Sequence, residues 1–445
     1  GLPSVALLSF ALYSLRKNLE QFLFIVFGVL WLGAFFQVTP PVWKITHQET
    51  DLQADTSLPP YIHIILDEHV GIEGIPNYAD QGEKFRTELK NKYIDQGFRV
   101  FGRAYSRYFR TKDSTASFLN FKPNSKPYKN LFVNGMIRPN GLFDKLTEQG
   151  YIINIFEPNI VPYCDKEGGY KLGKCISYLI DRIHTANGPV TILSGLLAEM
   201  KILVRFNEIT KVFGLPRLVM PGSAPFTTIG EFNKNIDFLS EGKKGNAYFI
   251  HLLLPHFHWF LDEQCSYRIK EWEFLKRDTT SNIKSSPLWF REDSISAQKK
   301  FSSDRNGAYR GYLKQVKCTH KMLDNFLQKI NSNPATKDST IIIQGDHGSR
   351  ITPFYPHIES ADQLTNEDYI QSYSTFFVVR GPNHTNEYDR RPLALDELMK
   401  NIIFGTEPLP KTDEPKFVYL SDPKRQVYKE YPLPPFANGR PTNKW

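Results

Sequence analysis

A chain of 445 residues is too long for one small core, and 41% hydrophobic with 23% charged residues excludes a mostly disordered polymer. The net charge of +8 suits an anionic membrane surface, a phosphate-bearing substrate or nucleic acid. Neither zinc-finger spacing nor an RNP-like aromatic motif occurs, so nucleic acid is not expected as a partner.

The chain opens on Gly1 rather than Met, as a fragment or a processed chain does. Residues 22–36 (FLFIVFGVLWLGAFF) carry no polar side chain. With residues 19–38 as limits they reach about 30 Å as a helix, near the thickness of a hydrocarbon layer. They lack a small-residue cleavage site, so an anchor is expected rather than a signal peptide, with a buried core helix as the other reading. Residues 2–15 look like the tail of an earlier apolar segment, which makes 1–38 the transmembrane region. Arg16 and Lys17 put the intervening turn in the cytoplasm and send everything after Pro40 and Pro41 across the membrane. Residues 39–58 read as a polar linker.

Residues 61–66 (YIHIIL) predict a buried strand. Residues 141–149 predict a helix with Leu142, Phe143 and Leu146 on one face, and 151–156 and 247–254 predict strands. From 309 to 330, Tyr312, Val316, Leu323, Phe326, Leu327 and Ile330 recur at helical spacing, ahead of a strand at 341–344. A strand at 375–379, a turn at 380–383 and a helix at 393–404 complete the pattern. This alternation predicts an α/β domain over 59–407 with a doubly wound, largely parallel sheet flanked by helices. Residues 194–220 are apolar with scattered Lys and Arg. They suit a helix covering the core, or an amphipathic pair on a membrane surface. Residues 408–445, rich in Pro and charge, predict an extended surface tail.

The cysteines are Cys164, Cys175, Cys265 and Cys318. An even number in an exported domain fits two disulfides. Cys164 and Cys175 flank a polar Gly-rich loop and are expected to pair, leaving Cys265 for Cys318. A zinc site is the rival, but no CxxC spacing supports it.

Two predicted strand ends and one predicted helix start carry candidate chemistry. Residues 340–348 (TIIIQGDHG) run from a β-branched stretch into Asp346 and His347, a carboxylate and an imidazole that suit one divalent cation. The strand at 61–66 ends in Asp67 and Glu68, hard oxygen ligands. Residues 110–119 (RTKDSTASFL) read as a helix N-terminus, where free N–H groups favour an anion. Its Thr111 hydroxyl is a weak nucleophile unless activated. Arg110 and Lys112 flank it and suit a phosphate, or are simply solvated.

The order of ILDE, TKDSTASFL, IHLLLPHFHW and IIIQGDHGS resembles the alkaline phosphatase–sulfatase superfamily over roughly residues 58–405. Its closest branch by these motifs is the membrane-anchored lipoteichoic acid synthases and phosphoethanolamine transferases. The resemblance implies Thr111 as nucleophile and metal ligand, with Asp67 or Glu68, Asp346 and His347 as the other metal ligands. It puts His256 at the substrate phosphate, with His258 standing where that branch has Pro. It implies one divalent ion, Mn²⁺ or Zn²⁺, with Ca²⁺ or Mg²⁺ as alternatives. Sulfatases carry Cys or Ser for formylglycine where this chain has Thr111, which argues against sulfate-ester hydrolysis. The function implied is transfer of a phosphoethanolamine or phosphoglycerol headgroup from a phospholipid donor to a glycan or lipid acceptor, through phospho-threonine. That places the protein in a bacterial inner membrane with its catalytic domain on the periplasmic side. A sulfatase-like hydrolase (phosphodiesterase, phosphatase or sulfatase) and a non-catalytic exported scaffold are the alternatives.

Overall fold

The computed structural model describes residues 43–49, 52–79, 81–124, 132–133, 136–178, 224–257, 259, 261–266, 295–352, 354–405, 415–422 and 427–436. The apolar stretch 1–38, residues 194–220 and His258 lie outside them. The chain divides into two units, Gly1–Val42 and Trp43–Trp445, and the described residues all belong to the second. Among them no helix is long and apolar enough to cross a membrane.

Among the described residues nine strands form one mixed, mostly parallel sheet. In chain order they are β1 (Trp43–Gln48), β2 (Tyr61–Leu66), β3 (Arg99–Phe101), β4 (Ile152–Pro158), β5 (Leu172–Tyr178), β6 (Asn246–Leu252), β7 (Thr340–Gly345), β8 (Phe377–Arg380) and β9 (Tyr388–Asp389). Their spatial order is β1-β5-β4-β6-β2-β7-β8-β3-β9. From β5 to β7 every pairing is parallel. β1 at one edge and β8 towards the other run antiparallel to their neighbours. The expected doubly wound sheet is therefore present with two antiparallel interruptions. Both belong to short segments whose hydrophobic pattern does not reveal direction.

β2 lies at the centre because both its faces are apolar. Ile62, Ile64 and Leu66 enter one core, and Tyr61 and Ile65 the other. The first core is covered by α1 (Gly82–Asp95), α4 (Ala224–Leu239) and α5 (Ile295–Ser332). Phe85, Leu89 and Tyr93 recur every four residues of α1 and pack inward, each such burial contributing roughly 1.5–3 kcal/mol. The second core is covered by α2 (Thr111–Leu119), α3 (Gly141–Gln149) and α7 (Leu395–Phe404). α3 begins where the Asn140 side chain accepts from the Phe143 N–H at 3.1 Å, and it ends at Gly150, whose φ is 101°. A third cluster joins the hairpin β10 (Phe417–Asp422) and β11 (Val427–Pro432) to Tyr105, Phe109 and Tyr373. α6 (Asn366–Tyr373) supplies the last of these.

Both expected disulfides are present, Cys164–Cys175 and Cys265–Cys318, and there is no free cysteine. They point to an extracytoplasmic domain.

Candidate active site

Parallel pairing brings distant residues together. Leu66 is in register with Gly345 on one side and Leu252 on the other, so Asp67 and Asp346 emerge from adjacent strand ends. Asp67, Asp346 and His347 are buried, and their ligand atoms lie within 4.8 Å of one another, a cluster able to hold a metal ion. Close packing explains the glycines on either side. A Cβ at Gly348 would lie 2.1 Å from the Gln371 carbonyl oxygen, and one at Gly345 would lie 2.4 Å from that of His69.

Thr111 is the first residue of α2, with Arg110 as its N-cap. Its Oγ1 stands 3.2 Å from His347 Nε2 and donates to Asp67 Oδ2 at 3.5 Å. Ser114, one turn on, fixes that position by donating to the Asp346 carbonyl at 2.5 Å while accepting from Ser106 Oγ at 2.7 Å. The Thr-x-x-Ser spacing thus ties a helix start to a strand end. The Arg110 guanidinium lies over the Phe109 ring at 5.3 Å, and Lys112 is the second residue of α2.

Asp67 and Glu68 point to different partners. Glu68 Oε1 is 3.1 Å from Arg350 NH1 and 3.7 Å from His256 Nε2, and Glu68 Oε2 accepts from the Phe257 N–H at 2.9 Å. Its carboxylate is therefore taken up by an ion pair and a backbone donor. Asp67, Glu68 and His256 also form a group with ligand atoms within 4.8 Å of one another. Glu68 and Arg350 both have left-handed backbone, φ 64° and 55°, a cost of about 1–2 kcal/mol each that the surrounding packing sustains.

The electrostatics call for a cation. Burial, then the neighbouring Glu68 carboxylate, pushes the Asp67 carboxyl up, and burial followed by Asp67 does the same to Asp346. Burial, then the Arg350 charge, holds the His347 imidazole well below its ordinary value. Asp346 Oδ1 accepts the N–H groups of Glu68 and His347 at 2.9 and 2.8 Å, while Asp346 Oδ2 and Asp67 Oδ1 are buried without a hydrogen-bond partner among the described residues. Two unmatched carboxylate oxygens beside a neutral imidazole fit the donor set of a divalent ion.

Two participants escape sequence reasoning. His251, inside β6, reaches within 3.8 Å of Asp67 Oδ2 through Nε2, which has no hydrogen-bond partner among the described residues, while its Nδ1 meets Tyr163 Oη at 2.8 Å. In sequence it looks like an interior strand residue, though its place in the IHLLLPHFH segment marks it. Arg350 NH2 lies 2.6 Å from His347 Nε2. Its position three residues past His347 in DHGSR was the available signal.

The family described as Sulfatase matches residues 86–403. This chain belongs to the sulfatase family, within the alkaline phosphatase superfamily. Its catalytic domain is that of an enzyme. Similar solved structures include BT1596, a 2-O GAG sulfatase (14% identity, 82% of this chain and 78% of that one, TM-score 0.49). Another is the periplasmic domain of EcEptC from Escherichia coli in complex with Zn (12% identity, 88% and 96%, TM-score 0.46). A third is BT33494S-sulf, from a Bacteroides thetaiotaomicron locus for glycosaminoglycan metabolism (13% identity, 84% and 83%, TM-score 0.46). No curated protein matches the chain.

Proposed function

We propose that this sulfatase-family enzyme is a metal-dependent phosphotransferase that moves a phosphoethanolamine or phosphoglycerol headgroup from a phospholipid to a glycan or lipid acceptor. The observation that carries this reading is the Thr111 hydroxyl, set at a helix start within reach of both His347 and Asp67. A threonine cannot supply formylglycine, so sulfate-ester hydrolysis by that route is disfavoured, whereas a threonine alkoxide suits attack on phosphorus. The apolar stretch 22–36 would keep the domain beside its lipid donor, raising the effective donor concentration.

In this reading Asp67, Asp346 and His347 would hold the divalent ion, and the Thr111 hydroxyl stands beside them as a fourth donor. Such an ion supplies charge that favours the ionised hydroxyl and neutralises phosphate oxygens. The Thr111 proton leaves towards Asp67 Oδ2, the atom to which it already donates. Thr111 Oγ1 forms a bond to phosphorus as the bond from phosphorus to the diacylglycerol oxygen breaks. His256, backed by Glu68, is placed to hand a proton to that oxygen. Burial, then the His256 charge, holds His251 down to about 3, so it is neutral and offers a hydrogen bond to a phosphate oxygen. Arg350 is a second candidate for those oxygens. An acceptor hydroxyl then takes the group from Thr111.

Intact-mass analysis tests this directly. Full-length protein is incubated with phosphatidylethanolamine or phosphatidylglycerol and then digested. A headgroup adduct on Thr111 that disappears when acceptor is added is the expected result. Release of headgroup to water in the presence of acceptor, with no modified acceptor, would make the protein a hydrolase. No adduct and no turnover would remove Thr111 as nucleophile.

A further inference from the structure

The two nitrogens of His251 have different surroundings. The ring is fully buried near the carboxyl end of β6. Its Nε2 has no hydrogen-bond partner among the described residues and stands 3.8 Å from Asp67 Oδ2, too far for a bond. A buried polar atom left unmatched at a site is costly, and a ligand that accepts from it removes the cost. The other nitrogen, Nδ1, meets Tyr163 Oη at 2.8 Å.

The fold holds both partners in that contact. Glu157 Oε2, on β4, accepts the N–H groups of Tyr163 and Cys164, while Glu157 Oε1 accepts from Ser177 Oγ at 2.7 Å. Cys164 is bonded to Cys175 of β5. The Tyr163 ring stands edge-on to Phe249 at 4.9 Å, and Phe249 lies two residues before His251 on the same face of β6. Tyr178 Oη donates to the His251 carbonyl at 2.9 Å and accepts the Leu253 N–H at 3.2 Å. Backbone and ring are thus fixed on each side, so the phenol and the imidazole keep their separation.

The place of the protons follows from this geometry. A neutral imidazole carries one N–H. On Nδ1, that hydrogen would leave the bare Nε2 lone pair facing the Asp67 carboxylate, negative against negative with no water between. It would also send the buried phenol hydrogen in search of another acceptor. On Nε2, the hydrogen faces the carboxylate side and the phenol donates to Nδ1. Burial pushes the Tyr163 phenol well above its ordinary value, so it keeps the hydrogen it donates.

We propose that Tyr163 is a positioning residue that fixes His251 as its Nε2–H tautomer and so aims that hydrogen at an oxygen of a phosphate group held beside Thr111. The phosphate rests on the phosphotransferase reading, whereas the tautomer does not. Full-length protein loaded with Zn²⁺ and labelled with ¹⁵N at histidine is compared with its Tyr163→Phe variant, and the His251 signals are those lost in His251→Gln. The wild type should show a bare Nδ1 and a protonated Nε2, and Tyr163→Phe a mixture of tautomers. A packing role for Tyr163 would leave the tautomer unmoved. Calorimetry with inorganic phosphate should show affinity falling roughly tenfold in Tyr163→Phe, with no further fall when that change is added to His251→Gln. An Nδ1–H tautomer in the wild type, an unmoved tautomer in folded Tyr163→Phe, no phosphate binding by the wild type, or equal losses with and without His251 would each overturn the proposal. Absence of an adduct on Thr111, with the tautomer and phosphate results as expected, would instead remove the transfer reading and leave this one standing.

Discussion

Thr111 Oγ1 lies 3.2 Å from His347 Nε2, although 236 residues separate the two in sequence. One belongs to a helix start on one face of the sheet and the other to the end of a central strand. The Ser114 bond to the Asp346 carbonyl is the strut between them. On the proposed reading Thr111 is a nucleophile that gains its advantage from position, and that advantage is lost when the oxygen is removed.

Thr111→Ala should lower turnover by roughly three orders of magnitude or more while the fold is kept. Thr111→Ser should retain measurable turnover, since an oxygen remains one bond from Cβ. Steady-state rates on a chromogenic phosphodiester, with circular dichroism as the fold check, give the comparison. An alanine variant turning over at the wild-type rate would exclude Thr111 from the chemistry.

The raised carboxyls of Asp67 and Asp346 bear on metal binding. A group that holds its proton in the metal-free protein must release it when a cation arrives, so binding near neutral pH should liberate protons. Apparent affinity should therefore fall as pH is lowered. Calorimetry of Zn²⁺ or Mn²⁺ binding in buffers of different ionisation enthalpy reads the proton count. Asp346→Asn should weaken binding by at least about 10–100-fold, the scale seen even for outer-shell partners. Unchanged affinity in that variant would discredit the cluster as a metal site.

Much of the site was legible because the decisive residues sit at strand ends, where an apolar run stops at a carboxylate. Asp67, Asp346 and His347 announce themselves in this way, Thr111 does so as the start of a helix, and the four converge. His256 comes close, bridged to the site through Glu68. Choosing between Asp67 and Glu68 was beyond the sequence, since adjacent acids at a strand end differ only in which way the backbone turns. The φ of 64° at Glu68 sends its carboxylate to Arg350. His251 and Tyr163 were hidden because their contact depends on strand order, and β4 and β6 become neighbours only in the folded sheet. Helix α1 and the three-residue strand β3 were also missed. The first carries much charge between its apolar positions, and the second is too short for a period to register.

Loss of a disulfide should cost stability according to the loop it closes. Cys164–Cys175 spans 11 residues and Cys265–Cys318 spans 53. Chain-entropy reasoning gives about 3 kcal/mol for the first and about 4 kcal/mol for the second. Paired Cys→Ser variants, melted with and without reductant, check this. Reductant that leaves the wild-type melting point unchanged would refute a stabilising role. The Cys164 variant carries a second expectation. Tyr163 is its neighbour and contacts His251 Nδ1, so turnover should fall beyond what the stability loss explains.

Glu157, at the end of β4, gives a pH dependence of stability separate from the metal cluster. Burial pushes its carboxyl up to about 7 from an ordinary 4.5, outweighing the Tyr163 N–H, Ser177 hydroxyl and Cys164 N–H donors that favour the ionised form. The folded protein therefore holds this proton more tightly than the unfolded chain does. Its contribution is most favourable below about pH 4.5, declines as pH rises to about 7, and is flat beyond. Glu157→Gln should remove that slope. An amide fits the site, because one oxygen can accept both backbone N–H groups while the NH₂ donates to a turned Ser177 hydroxyl. Denaturant unfolding between pH 5 and 8 should show the variant gaining on the wild type as pH rises, by on the order of 3 kcal/mol over the full titration. A difference between the two proteins that stays constant across this range would mean that Glu157 is ionised in the fold throughout.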